Sequence, residues 1–407
     1  MTRTLLVVSG GAEAVPGIRL AKRMGLHVVV SDGSADAPGL TEADDALIAS
    51  TYDVAATVAA AVEYSRTVRR LDGVMCIAAD VPLTVASVAA AIGLPGIPLE
   101  AARLAADKIA MKERLTEQGI PVPWFSAVAS AKAVRDVVEE RGLPLVIKPV
   151  DSRGARGVLR LIDGVNPDWA FEHARSWSPT GRVMVEEYLT GAQLSTESLL
   201  LDGVGHTPGF CDRNYEFLAR FSPWIIENGG EQPSALSAAD QRAVASLAER
   251  AGAAIGISTG VVKGDMVLTP SGPKVIEVAA RLSGGWFSTD QIPLATGVDL
   301  VGAAIRVAVG DPVHGEDLAP ASHRGVAIRY FFPEPGRITE ISGADRFQQV
   351  PWVHRLGFAV GVGQVVKAPT DHTLRAGFVI TSGETRDEAV ARAYEVVSAV
   401  RIVTIPT

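Results

Sequence analysis

The first hundred residues constrain the fold most, because they alternate between two periodicities. "TLLVVSGG" (4–11) is an apolar run ending in glycines, and "EAVPGIRLAKRMG" (13–25) has the spacing of an amphipathic helix closed by Gly25. "HVVVSD" (27–32) is apolar again, residues 54–70 read as a helix, "GVMCIA" (73–78) as a third strand and "PLTVASVAAAIG" (82–93) as another helix. Continuous apolar strands separated by helices bury both faces of a sheet, which predicts a parallel sheet covered by helices. Fingerprint glycines for a dinucleotide are missing: Gly-x-Gly-x-x-Gly would need glycine where Ala12 and Val15 stand, so the turn reads as a tight strand-to-helix connection.

At 407 residues the chain is too long for one ordinary core. Its texture changes near residue 103. A Lys-rich helix ("ADKIAMKERLTEQG") is followed by a helix at 130–141, the strand "LPLVIKPV", a glycine loop, a helix at 168–177 and "RVMVEEYLTG". Antiparallel strands from "AQLSTESLLLDG", a helix at 237–255 and a hairpin come next. The Pro/Gly/His-rich stretch 311–325 reads as a surface connection to a small α+β unit ending in a helix at 385–399. The fold class is thus α/β and α+β, with divisions at 1–102, 103–188, 189–312 and 313–407.

A formal charge of −8 argues against a nucleic-acid surface as the main business. Cys76 and Cys211, the only cysteines, have no metal-like spacing and fit reduced core thiols. No apolar run approaches the roughly 20 residues of a spanning helix, and residues 1–10 enter a strand directly. The expectation is a soluble cytoplasmic protein that binds neither nucleic acid nor membrane.

Charges inside apolar strands carry the chemistry. Lys148 lies in "LVIKPV", where an ammonium without a partner is costly. Either it sits at a strand edge and snorkels to water, or it serves an anion together with the loop Ser152-Arg153-Gly154-Ala155-Arg156-Gly157 that follows. That loop offers backbone N–H groups and two guanidiniums, as a polyphosphate requires. "VMVEEYLTG" places Glu186 and Glu187 after an apolar run, as a solvated turn or as a hinge against an adenine edge.

"GDMVLTPSGPKVIEV" (264–278) reads as a hairpin turning at "TPSGP". If Leu268 pairs with Lys274, Asp265 stands opposite Glu277 on the same face. A divalent cation would remove the repulsion, and an all-oxygen pair favours Mg²⁺ over Zn²⁺. Arg281 follows closely and could bind the phosphates whose charge the metal shares.

Lys108, Lys148 with its loop, the Glu-Glu hinge and the acid hairpin ending in Arg281 follow one another over about 180 residues. In this order they resemble the ATP-grasp superfamily, and most closely its carboxylate–amine ligases of the L-amino-acid ligase type. The resemblance implies an ATP-grasp fold with an N-terminal Rossmann-like pre-ATP-grasp domain, a lid subdomain, a large subdomain bearing the Mg-binding hairpin and a small C-terminal α+β subdomain. It implies that Lys108 and Lys148 hold ATP phosphates beneath the loop 152–157. Glu186, Glu187, Tyr188 and Leu189 would line adenine, Glu187 and Leu189 through their backbone. Asp265 and Glu277 would bind Mg²⁺, or Mn²⁺ in its place. Arg281 would stabilise the acyl-phosphate and the tetrahedral intermediate.

Two positions depart from the pattern. Gln193 stands where many members place a glutamate for the ribose hydroxyls. Ala279 stands where many place an extra asparagine ligand, which amino-acid ligases often lack. Between hinge and hairpin, Arg213 is a candidate for a substrate carboxylate and Glu227 or Glu231 for an amino group, each equally readable as a solvated loop charge. Gly284 and Gly285 would let backbone approach the substrate. The implied reaction joins a small carboxylate to an amine at the expense of ATP, and a homodimer is the family-level expectation. Competing readings are other ATP-grasp chemistry (a carboxylase or a purine-pathway ligase) and a nucleotide-binding protein with a degenerate site.

Overall fold

The structure, a computed structural model, describes residues 2–407. The chain divides into two compact units, each assembled from three stretches. The first holds the residues up to Val122 with Ser195–Phe210 and Leu236–Ser322, and the second holds Pro123–Leu194, Cys211–Ala235 and His323–Thr407. Among the described residues no helix is long and apolar enough to cross a membrane.

The first unit opens with a parallel sheet in the order Asp45–Ile48, His27–Asp32, Thr4–Val8, Gly73–Met75. Three strands and their helices Val15–Arg23, Val54–Thr67 and Pro82–Ile92 are those read from the periodicity. The edge strand Asp45–Ile48 was not anticipated: it has only four residues with alternating exposure. Leu6, Val8, Val29 and Val74 pack beneath Ala61, Tyr64, Val88 and Ala89. The glycine turn after the first strand is closed upon itself. Gly10 N–H and Ser34 N–H both donate to Asp32 (2.8 and 2.9 Å), and Gly39 N–H donates to Gly10 O (2.6 Å). That closure leaves Asp32 serving the turn.

Helix Lys108–Glu117 starts at Asp107, whose carboxylate accepts from Ile109 N–H and Ala110 N–H at 3.0 Å each. The antiparallel hairpin Gly260–Thr269 and Gly272–Ala279 follows helix Ala238–Ala254 in the same unit.

In the second unit a four-stranded antiparallel sheet runs Phe125–Val128, Val183–Glu187, Leu145–Pro149, Leu159–Leu161. Helices Ala131–Arg141 and Pro167–Ser176, capped by Ser130 and Asn166, close its core around Ile147, Val185 and Phe171. Strands Gly229–Gln232, Gly325–Phe331, Gly377–Gly383 and Val353–Phe358 form a further antiparallel array. Helix Arg386–Ala399 buries Ala389, Ala393 and Val396 against Ala327 and Val379 of that array.

Candidate active site

The first unit brings together Lys108, Asp265, Glu277, Arg281, Gly284 and Gly285. Asp265 does stand opposite Glu277, but by a different route from the one the turn implied. Leu268 pairs with Pro273 and Val267 with Lys274, one position out of step with the expected register. The ladder shifts between Asp265 and Met266, where Ile276 is the extra residue of a β-bulge. The bulge restores the facing of the two acids.

Each acid has a lysine. Lys108 Nζ, on the first residue of its helix, lies 3.6 Å from Glu277 Oε2, and the Lys263 ammonium contacts Asp265. Arg281 is mostly buried, 3.8 Å from Asp80 through Nε. Burial works against its charge, while nearby carboxylates, Asp80 first and Asp265 with it, more than offset that and hold the guanidinium protonated. Glu197, fully buried, accepts from Ser283 N–H (2.7 Å) and from the Ser288 hydroxyl (2.7 and 2.8 Å to its two oxygens). Burial pushes its carboxyl up, against the pull of Ser288, Ser283 and Arg281. Gly285 N–H donates to Glu13 Oε2 at 2.9 Å, and a Cβ on Gly284 would stand 2.6 Å from that same oxygen. The Gly-Gly pair therefore seats Glu13.

Asp265 and Glu277 fit a hard divalent cation that brings further oxygen ligands of its own. Among the described residues no group of three or more His, Cys, Asp or Glu side chains could hold a metal, and buried Ala279 adds no donor.

The second unit carries the remaining candidates. Lys148 and Glu186 are both 4% exposed and form an ion pair, Nζ to Oε1, of 2.5 Å. Val146 pairs with Glu186 and Lys148 with Met184, so the two charges are diagonal neighbours on one sheet face. This pairing removes the snorkelling alternative: the ammonium is buried and tolerated because a buried carboxylate meets it. Glu187 is committed to Trp124, donating to its carbonyl (2.8 Å) and accepting from its N–H (3.3 Å). Of the Glu187 backbone groups expected to serve adenine, the N–H is thus used within the fold. Tyr188 lies under the Arg160 guanidinium at 5.2 Å, Leu189 is buried and Gln193 half-buried in strand Ala192–Leu201.

Residues 152–157 form the glycine loop, with Gly154, Ala155 and Gly157 in the left-handed region (φ 65, 60 and 74). Asp151 ties its start to Ser178 and Thr180 (2.6 Å each), and Gly154 O accepts from His372 N–H (3.1 Å). Arg156 Nε donates to Arg153 O (3.0 Å). Ser152, Arg153 and Ala155 lie on the same loop.

Arg213 and Glu227 meet, Nε to Oε2 at 2.6 Å, with Arg375 3.8 Å from Glu227 and stacked 3.8 Å over Tyr330. Glu231 belongs elsewhere. Arg329 and Arg386 grip its carboxylate, Asn214 adds a bond at 3.3 Å, and although burial would raise its pKa the two arginines hold it below the ordinary range. An amino-group contact at Glu231 is therefore not available without breaking that network.

Sequence reading missed Lys263, Glu197, Asp80, Glu13, His372 and Arg375. Glu197 carried the same signal as Glu277, an acid inside an apolar run ("STESLLL"). Lys263, within "GVVKGDMVL", lies in an apolar strand as well, and the others had no local signal.

Comparison with known proteins bears on the fold and the domains. Residues 105–285 match the ATP-grasp domain family and residues 329–404 match L-amino acid ligase C-terminal domain 2. An uncharacterised protein, y4rH, of Sinorhizobium fredii is 27% identical over 80% of this chain and 67% of its own length. A D-alanine–D-alanine ligase of Gloeobacter violaceus is 32% identical over 46% of this chain and 63% of its own, so this chain spans less than two thirds of that relative. In fold, an L-amino acid ligase from Bacillus licheniformis superimposes with a TM-score of 0.83 at 22% identity, over 99% of both chains. Residues 105–285 thus carry an ATP-grasp domain. The C-terminal match and the shared fold make the chain similar to the L-amino acid ligases.

Proposed function

We propose that the protein joins a small carboxylate to an amine with ATP, through an acyl-phosphate, releasing ADP and phosphate. The observation that carries this is the Asp265–Glu277 pair held across the bulged hairpin, with Lys108 at Glu277. Lys108 and Lys148, with the loop 152–157, would bind the phosphates, and residues 186–189 and Gln193 the nucleoside. Asp265 and Glu277 would hold Mg²⁺ or Mn²⁺, which when bound would spread the charge of the phosphates. Arg281, kept charged in a buried setting, would stabilise the oxyanion that develops as the carboxylate is phosphorylated and as the amine adds. Arg213 and Glu227, already paired, would hold the polar group of a substrate, and Gly284-Gly285 with Glu13 would border its path. A cytoplasmic protein, with dimerisation as in related enzymes, completes this reading.

Screening pairs of amino acids and small amines for ADP release, with hydroxylamine as a trap, tests it. A hydroxamate formed from a carboxylate and ATP supports the acyl-phosphate. Absence of ADP and hydroxamate across carboxylates would leave the nucleotide-binding alternative.

A further inference from the structure

Lys263 was not among the residues singled out from sequence, yet it touches the centre of the hairpin. It lies two positions before Asp265 on one strand and pairs with Ala279, while Asp265 pairs with Glu277. Paired residues and those two apart share a sheet face, so these four side chains form one patch. Ala279, itself buried, puts no polar side chain on this face, and the Lys263 ammonium contacts Asp265 there. Both partners of this contact are 13% exposed, so water screens them weakly. Across the patch Lys108 Nζ is 3.6 Å from Glu277. Two carboxylates and two ammoniums sum to a formal charge of zero.

We propose that Lys263, set opposite Ala279 and against Asp265, is a positioning residue that makes divalent-cation loading at Asp265 and Glu277 depend on nucleotide. This rests on the reading of Asp265 and Glu277 as metal ligands. A bare dication entering the pair meets two ammoniums and must displace at least one from its carboxylate. A polyphosphate offers those ammoniums other anions and releases the carboxylates. Metal and nucleotide therefore load together, and metal alone binds poorly. A third ligand at position 279 would oppose this arrangement, whereas alanine permits it.

Mn²⁺ uptake by the full chain, followed by electron paramagnetic resonance with and without ADP, tests the proposal once the Mn–ADP formed without protein is subtracted. Wild-type protein is expected to bind Mn²⁺ weakly alone and much more tightly with ADP. Lys263→Met should raise nucleotide-free Mn²⁺ affinity by about tenfold and shrink the ADP effect, while Lys263→Arg behaves as wild type. Lys263→Gln serves if the Met variant does not fold. Unchanged nucleotide-free affinity in both neutral variants, with ADP-linked Mn²⁺ binding intact, overturns the role of Lys263 alone. No protein-bound Mn²⁺ even with ADP, in any variant, overturns the metal reading of Asp265 and Glu277 and the inference with it.

Discussion

Asp265 faces Glu277 because Ile276 bulges out of the ladder beside them. The turn-side residues pair one position out of step, and one extra residue restores the two acids to a common face. Repulsion between them is relieved by Lys263 and Lys108 in the protein itself, and in the proposed reaction by a cation. Glu277→Gln keeps the shape and removes one charge. Turnover measured as Mg²⁺-dependent ADP release should fall on the order of 100-fold, with circular dichroism unchanged. Activity equal to wild type would remove Glu277 from the site.

Lys148 and Glu186 form a buried pair, and breaking such a pair strands a charge. Lys148→Met is expected to lower stability by about 3–5 kcal/mol in denaturant unfolding. Adding Glu186→Leu should recover most of that loss while ADP release stays abolished. A single variant as stable as wild type would show that the other contacts of Glu186 satisfy its charge.

Glu197 is pushed up by burial, so the folded protein binds its proton more readily than the unfolded chain does. Stability from this group is then present at low pH and declines as pH rises from the ordinary carboxylate range through the raised native value. Glu197→Gln stays neutral and keeps an acceptor for Ser283 N–H. Its melting temperature should match wild type near about pH 4 and exceed it increasingly toward neutral pH. A constant difference across the range would show that the native carboxyl is not raised.

His372 braces two candidate segments of the second unit. Its N–H donates to Gly154 O (3.1 Å), and its ring Nε2 accepts from Glu227 N–H (3.4 Å). Losing the ring contact should loosen the 227 segment more than the loop, which is held by backbone. His372→Ala is expected to raise KM for the substrate proposed to bind at Arg213 and Glu227 about 3–10-fold, for one lost hydrogen bond, with KM for ATP nearly unchanged. His372→Gln, which can still accept, should restore it. Equal effects on both KM values would mean that the ring also supports the loop.

Elements whose signals are local are legible in the amino-acid order. Alternating periodicities specified the parallel N-terminal sheet, helices were legible at 130–141, 168–177, 237–255 and 385–399, where the structure shows caps at Ser130, Asn166, Ser237 and Thr385, and "TPSGP" marked the hairpin. Charges embedded in apolar strands flagged Lys148 and Glu277 before any partner was known. Tertiary structure alone decided which partner each charge received. Glu186 meets Lys148 across 38 residues of sequence, Ser283 and Ser288 meet Glu197 across 86 and 91, and Glu13 reaches Gly285 across 272. It also decided the bulge at Ile276, the edge strand Asp45–Ile48 and the interleaving of the chain into two units. The physical reason is one of range. Periodicity and capping are set by neighbours within a turn or two, whereas the choice of a buried counter-ion depends on which distant groups leave water together.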